Sequence, residues 1–150
     1  MTPHVLIRKT VIKKNIEHLF DFFSKAENLN SITPPLLGFK IITPLPVEMK
    51  KGTIIDYKIK LNGIPFSWRT EITKWDPPFL FEDTQIKGPY KIWIHEHRFD
   101  EKEGMTIMTD TVRYLSPGGI FEFIPHNLMV KKKVEFIFDY REKVLNELFA

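Results

Sequence analysis

Residues 128–149, LMVKKKVEFIFDYREKVLNELF, decide how the rest of the chain is read. A helix over them would be roughly 33 Å long at about 1.5 Å per residue, enough to cross a small domain. Its apolar residues Val130, Val134, Ile137, Val144, Leu145 and Leu148 fall mostly three, four and seven apart and form one stripe. Lys132, Glu135, Asp139, Glu142, Lys143 and Asn146 take the other side. Arg141 breaks the pattern. At roughly 100° per residue it sits inside the stripe, between Ile137 and Val144. A guanidinium there must be paired or reach water, because an unpaired buried charge costs on the order of several kcal/mol.

Outward from that helix, the chain supplies what it would cover. His4 to Ile12 reads as a strand. Asn15 is an N-cap with Glu17 in the first turn, and Ile16, Leu19, Phe20 and Phe23 follow at helical spacing to about Ser24. A second short helix, Ala26 to Ser31, is stopped by Pro34-Pro35. Six strand-like runs come next: Phe39–Thr43, Thr53–Leu61, Ile64–Trp75, Phe79–Ile86, Tyr90–Asp100 and Met105–Leu115. Asn62-Gly63, Asp76-Pro77-Pro78, Lys87-Gly88-Pro89 and Glu101 to Gly104 are the turns between the later ones. Links this short make antiparallel neighbours. Ser116-Pro117-Gly118-Gly119 ends the sheet, and a helical turn at 120–124 leads past Pro125 into the last helix. The expected fold is α+β: about seven antiparallel strands curled around one long C-terminal helix, with two short helices after the first strand. Such a sheet needs a cover on one face, and the space beneath that cover is where a small ligand would sit.

The bulk numbers agree. A chain of 150 residues is expected to be a single domain, 1–150. Hydrophobic residues make up 43% and charged ones 27%, the balance of a soluble globular protein. Thirteen Phe, four Tyr and three Trp suit a bulky core or an aromatic-lined pocket. The net charge of +3 is scattered, and Lys131-Lys132-Lys133 reads as a solvated face, so no nucleic-acid partner is expected. With no cysteine, thiolate chemistry and disulfides are excluded. No apolar run approaches the roughly 18 residues needed to span a bilayer, and the first residues lack a signal-peptide pattern. No membrane insertion is expected, and the expected location is the cytoplasm.

Several stretches resemble the SRPBCC superfamily, the START, polyketide-cyclase and pollen-allergen group. They are Pro77-Pro78-x-x-Phe81-x-Asp83-x-Gln85-x-x-Gly88-Pro89-Tyr90-x-x-Trp93-x-His95-x-His97-x-Phe99, then Thr109-Asp110-x-Val112-x-Tyr114, and Phe138-x-Tyr140-Arg141 on the last helix. The likeness is to the uncharacterised bacterial ligand-binding members and covers essentially the whole chain. It implies the helix-grip fold and a hydrophobic cavity for a lipid- or polyketide-like ligand. The superfamily holds lipid carriers, hormone receptors, cyclases and chaperone activators, so the resemblance implies no single reaction.

Strand parity sorts the polar residues, since every second side chain shares a face. Trp93, His95, His97 and Phe99 point together; so do Met108, Asp110, Val112 and Tyr114; so do Phe79, Phe81, Asp83 and Gln85. With the aromatic-bearing sets concave, Asp83, Gln85, His95, His97, Asp110 and Tyr114 face the helix that carries Arg141. Trp68 and Trp75 have opposite parity, so only one can face inward, and Trp68 is favoured. The expected ligand-facing set is therefore Trp68, Phe81, Asp83, Gln85, Trp93 and His95, with His97, Phe99, Asp110, Tyr114 and Arg141. Asp110 or Asp83 would take the charge of Arg141 as a bidentate pair.

Three roles fit this constellation. It can be an ion pair that clamps helix to sheet. It can orient the polar end of a small hydrophobic or aromatic ligand. It can do acid–base chemistry of the cyclase or dehydrase kind, with His95 or His97 as base beside Asp110. A protein-interaction module is a further alternative implied by the resemblance. His95-x-His97 with a carboxylate has metal-ligand chemistry, but no third ligand follows from spacing, so neither a metal nor any other cofactor is expected.

Overall fold

The computed structural model describes residues 3–61, 63–117 and 130–150. Seven strands form one curled antiparallel sheet. They are β1 (His4–Ile12), β2 (Lys40–Ile41), β3 (Ile54–Leu61), β4 (Ile64–Asp76), β5 (Leu80–Lys87), β6 (Tyr90–Lys102) and β7 (Met105–Pro117). Their order across the sheet is β1-β7-β6-β5-β4-β3-β2. From β2 to β7 each strand pairs with the next in sequence; β1 instead runs along β7, with His4 opposite Tyr114 and Ile12 opposite Thr106. The chain crosses from one sheet edge to the other through α1 (Ile16–Phe23) and two 3-10 segments, Ala26–Ile32 and Pro35–Leu37. The last helix, α2 (Lys131–Leu148), shares its buried residues with the sheet's inner face.

Local chemistry explains where the elements start and stop. Asn15 caps α1, its Oδ1 accepting the His18 amide at 2.8 Å. The second short helix is 3-10, not α. Its buried residues, Ala26 and Ile32, are six apart, which is two turns at about three residues per turn, so this winding puts both on one face. The run Phe39–Thr43 shortens to the two residues of β2, because the amides of Ile42 and Thr43 both converge on the Asp56 carbonyl, at 2.8 and 3.2 Å. β6 runs past Asp100 to Lys102, which pairs with Met105. Glu103 and Gly104 make that turn with φ of 53° and 77°, the left-handed pair a tight hairpin needs. In the β3–β4 turn Gly63 has φ 78°; Asn62, the expected turn at 120–124, and Leu128 and Met129 of the expected helix lie outside the described residues.

α2 buries Val134, Phe138, Arg141 and Leu145, a seam spaced four, three and four. The seam is narrower than the expected stripe. Leu148 is 52% exposed, Ile137 and Val144 are half-buried flanks, and Phe138 is the aromatic that enters the core. Arg8 on β1 ties the outer side of α2 to the sheet, reaching Asp139 at 2.6 Å and Glu142 at 3.2 Å.

The core has two apolar clusters. One, near α1, contains Phe20, Phe23, Phe81, Phe99, Met108 and Leu145. The other, toward the start of α2, contains Trp68, Tyr90, Trp93, Val112, Val134 and Phe138. Leu145→Ala, at a fully buried site, is expected to lower unfolding free energy by about 2–5 kcal/mol, and Leu148→Ala by no more than about 0.5 kcal/mol. Urea unfolding of the two variants checks this; similar losses would mean that the helix is rotated from the seam described.

Candidate functional site

Along each element the step from one apolar cluster to the other passes through a polar residue. On β6 the buried run is Trp93, His95, His97, Phe99; on β7 it is Met108, Asp110, Val112; on α2 it is Phe138, Arg141, Leu145. Asp83 follows Phe81 on β5. The alternation expected for β6 and β7 holds, and Ile92 and Ile94 lie on the other face, half-buried. In β4 it does not. The register shifts between Ile72 and Lys74, and this bulge turns Trp75 inward, onto Phe20 at 5.1 Å and Phe81 at 5.8 Å. Trp68 and Trp75 therefore share a face despite their parity, which corrects the expectation that only one could turn inward.

The four sheet residues form a closed ring. His95 Nε2 is 2.7 Å from Asp110 Oδ1, and His97 Nε2 is 2.7 Å from Asp83 Oδ2. The remaining sides are longer: His97 Nδ1 to Asp110 Oδ1 is 3.5 Å and His95 Nδ1 to Asp83 Oδ2 is 4.0 Å. The imidazoles stack at 3.6 Å between the carboxylates, and Phe81 stacks on His97 at 3.9 Å. The short bonds run diagonally, because His95 lies opposite Asp83 and His97 opposite Asp110 in the ladders. Arg141 joins through one contact, Nη1 to Asp110 Oδ1 at 3.4 Å. The bidentate pair expected from the sequence is not formed. The guanidinium instead lies between Phe23 and Phe138, 5.8 and 5.4 Å from the ring centres.

Burial and mutual charge set the protonation. Burial raises the Asp83 carboxyl above its ordinary value, against the pull of His95 and Arg141. Burial pushes Asp110 the same way, but the His95 hydrogen bond and the charges of His95, Arg141 and His97 outweigh it and hold Asp110 below the ordinary value. Burial, His95 and Arg141 keep the His97 imidazole well below its ordinary range, with Asp110 opposing.

A cavity of about 160 Å³ opens beside this ring, between β3–β6, α1, the segment Ala26–Ile32 and α2. Of the expected residues, Trp68, Phe81, Asp83, Trp93, His95, His97 and Arg141 line it. Asp110 is 2% exposed and stands behind the histidines. Phe99 packs in the α1 cluster, against Phe20 and Phe23. Tyr114 packs at the β1 edge, near His4 and Trp93. Gln85 turns to the β5–β6 hairpin, donating to the Tyr90 carbonyl at 2.6 Å and accepting the Tyr90 amide at 3.2 Å. A Cβ on Gly88 would come within 2.5 Å of Gln85 Oε1, so this staple requires glycine there.

Tyr57, Ile59 and Phe138 also line the cavity and were not among the expected ligand-facing residues. Ile55, Tyr57, Ile59 and Leu61 alternate along β3, the signal that would have found the first two. Phe138 is four residues from Val134 on the seam. Among the described residues, the buried atoms Trp68 Nε1 and His97 Nδ1 have no hydrogen-bond partner. Asp83, His95 and His97 offer ligand atoms within 4.8 Å of one another, the donor set of a two-histidine, one-carboxylate metal centre. Ring lone pairs lie in the ring planes, and planes stacked at 3.6 Å do not converge on one point; the rings would have to part before chelating an ion. Among the described residues no helix is long and apolar enough to cross a membrane.

No sequence-family model matches the chain. No curated protein matches it either. Solved structures do. The chain is similar to the major latex-like protein 151 of Panax ginseng, with TM-score 0.70 and 14% identity over 100% of this chain and 99% of that one. It is similar to protein CV1439 of Chromobacterium violaceum, with TM-score 0.74 and 12% identity over 97% and 96%. It is similar to a START superfamily protein of Mycobacterium smegmatis, with TM-score 0.73 and 11% identity over 97% and 97%. The chain thus shares the helix-grip fold of these structures.

Asp110→Asn is expected to cost about 3–5 kcal/mol, because Arg141 stays buried without its counter-charge. Asp83→Asn should cost less, since burial already favours the neutral form of that carboxyl. Equal losses in urea unfolding would show that Arg141 draws on both carboxylates alike. The folded chain also resists a proton on His97 that the unfolded chain accepts, so His97 makes stability fall as pH drops below about 6.5. Asp83 has the opposite sign: its raised value adds stability that is lost as pH rises from about 3.9 upward. His97→Gln should flatten the slope just below neutrality in thermal melts; an unchanged slope would assign it to another group.

Proposed function

We propose that the chain binds a small apolar or aromatic molecule in the cavity between the sheet and α2, with the molecule's polar end toward Arg141 and the Asp–His ring. The observation that carries this reading is the pairing of an aromatic-walled cavity of about 160 Å³ with polar groups gathered on one side. Ligand sites are mostly apolar concavities with a few placed polar groups. The polar groups here are buried at a cost, and a clamp alone would not explain open space beside them. The fold supports the reading, since helix-grip proteins enclose such cavities; the neighbours' names do not choose the molecule.

The test is native mass spectrometry and solvent extraction of the purified protein, together with displacement of an environment-sensitive dye. A co-purifying small molecule or saturable dye uptake is expected. Ile59→Trp should fill the cavity at about 1–3 kcal/mol of stability and abolish uptake. Uptake unchanged in a folded Ile59→Trp variant would move the site elsewhere.

One observation favours a second reading as an enzyme. His95 and His97 line the cavity, and each holds a carboxylate at 2.7 Å. An imidazole oriented by a carboxylate is the arrangement of a general base, as cyclase- or dehydrase-type proton abstraction requires. Under that reading His95→Gln and His97→Gln lose turnover of a bound substrate while keeping its affinity. Turnover that survives both substitutions removes the acid–base role.

A further inference from the structure

We propose that the polar end of the ligand is an anionic oxygen group, and that the molecule is a small aromatic carboxylic acid whose carboxylate is taken by Arg141. The inference rests on the cavity being a binding site and adds the class of molecule that fills it.

The donors define the class. A guanidinium carries five N–H donors, yet among the described residues Arg141 meets one acceptor, Asp110 Oδ1 at 3.4 Å. Arg141 is nevertheless 7% exposed and lines the cavity. Buried donors without acceptors are costly and uncommon. Its remaining donors are satisfied by a group that only accepts, and a carboxylate matches the planar fork of arginine.

The neighbouring carboxylates fill this role only in part. Asp110 Oδ1 gives Arg141 one contact at 3.4 Å but has His95 nearer, at 2.7 Å, and Asp83 is held by His97 at 2.7 Å. Phe23 and Phe138 flank the guanidinium, at 5.8 and 5.4 Å from the ring centres, and the residue lines the cavity beside them. The volume then sets the body of the molecule. An apolar cavity of about 150 Å³ accommodates benzene, and this one is about 160 Å³ with aromatic walls from Tyr57, Trp68, Trp93 and Phe138. One ring with a short acidic arm fits this volume.

The probes are benzoate and phenylacetate, set against benzamide and toluene, measured by calorimetry and by displacement of the dye. Benzoate or phenylacetate is expected to bind roughly tenfold or more tighter than benzamide. Arg141→Gln should weaken the acid by roughly ten- to hundred-fold and leave toluene unchanged. Arg141→Lys keeps the charge and removes the fork, so it should weaken the acid by a smaller factor even if Arg141→Gln does not fold. If benzamide or toluene binds as well as the acids, the anion assignment is overturned while the binding cavity stands. If neither the probes nor the dye is taken up, the cavity reading itself fails, and this inference with it.

Discussion

A layer of charge crosses the middle of the core, and the rest of the molecule is arranged to tolerate it. Arg141 on α2, Asp83 on β5, His95 and His97 on β6 and Asp110 on β7 separate two apolar clusters. None of these groups could stand there alone. An isolated buried ion costs several kcal/mol or more, on the order of what a domain of this size has in total. The ring removes most of that cost by mutual satisfaction: each carboxylate has an imidazole at 2.7 Å, and the guanidinium has Asp110 and two aromatic faces.

That mutual dependence also fixes register. A one-residue slip of β6 would send His95 and His97 to the outer face and leave Asp83, Asp110 and Arg141 buried without them. A rotation of α2 by one residue would replace Arg141 with Glu142 or Tyr140 opposite Asp110. Apolar residues tolerate small shifts by repacking; this layer does not. It therefore pins the relation of helix to sheet more tightly than the flanking phenylalanines can. Because each of the four elements contributes one or two members, the layer is complete only in the fully assembled fold.

Much of this was legible in the sequence because it rests on simple periodicities. Alternation along β6 and β7 placed His95, His97 and Asp110 inside, and the 3.6-residue period placed Arg141 there too. What was not legible involves departures from period or competition between partners. The bulge after Ile72 restored Trp75 to the inner face, and nothing in the residues of β4 announces it. Gln85 had the right parity for the cavity but found two backbone partners at the Gly88 turn first. The bidentate pair failed because Asp110 had a nearer partner in His95, a choice made by diagonal neighbours across strands. Parity says which side chains share a space; it does not say which of them touch.

The open volume has the same origin. Close packing would normally fill the space beside a helix gripped by a curled sheet. Here the side chains that could have filled it are committed elsewhere. Asp83 and the histidines are held flat against the sheet by their own ring, with Phe81 stacked on His97. Arg141 is held between Phe23 and Phe138. Trp68 is kept in place by Tyr57, Tyr90 and Trp93, at 5.5 to 5.7 Å between ring centres. Rigid planar groups braced on both sides cannot collapse inward, so the cavity persists and keeps its unpaired donors. The helix that looked in sequence like a cover with one misplaced charge is thus one wall of this cavity, and the misplaced charge, braced between two rings, helps to keep that wall from closing.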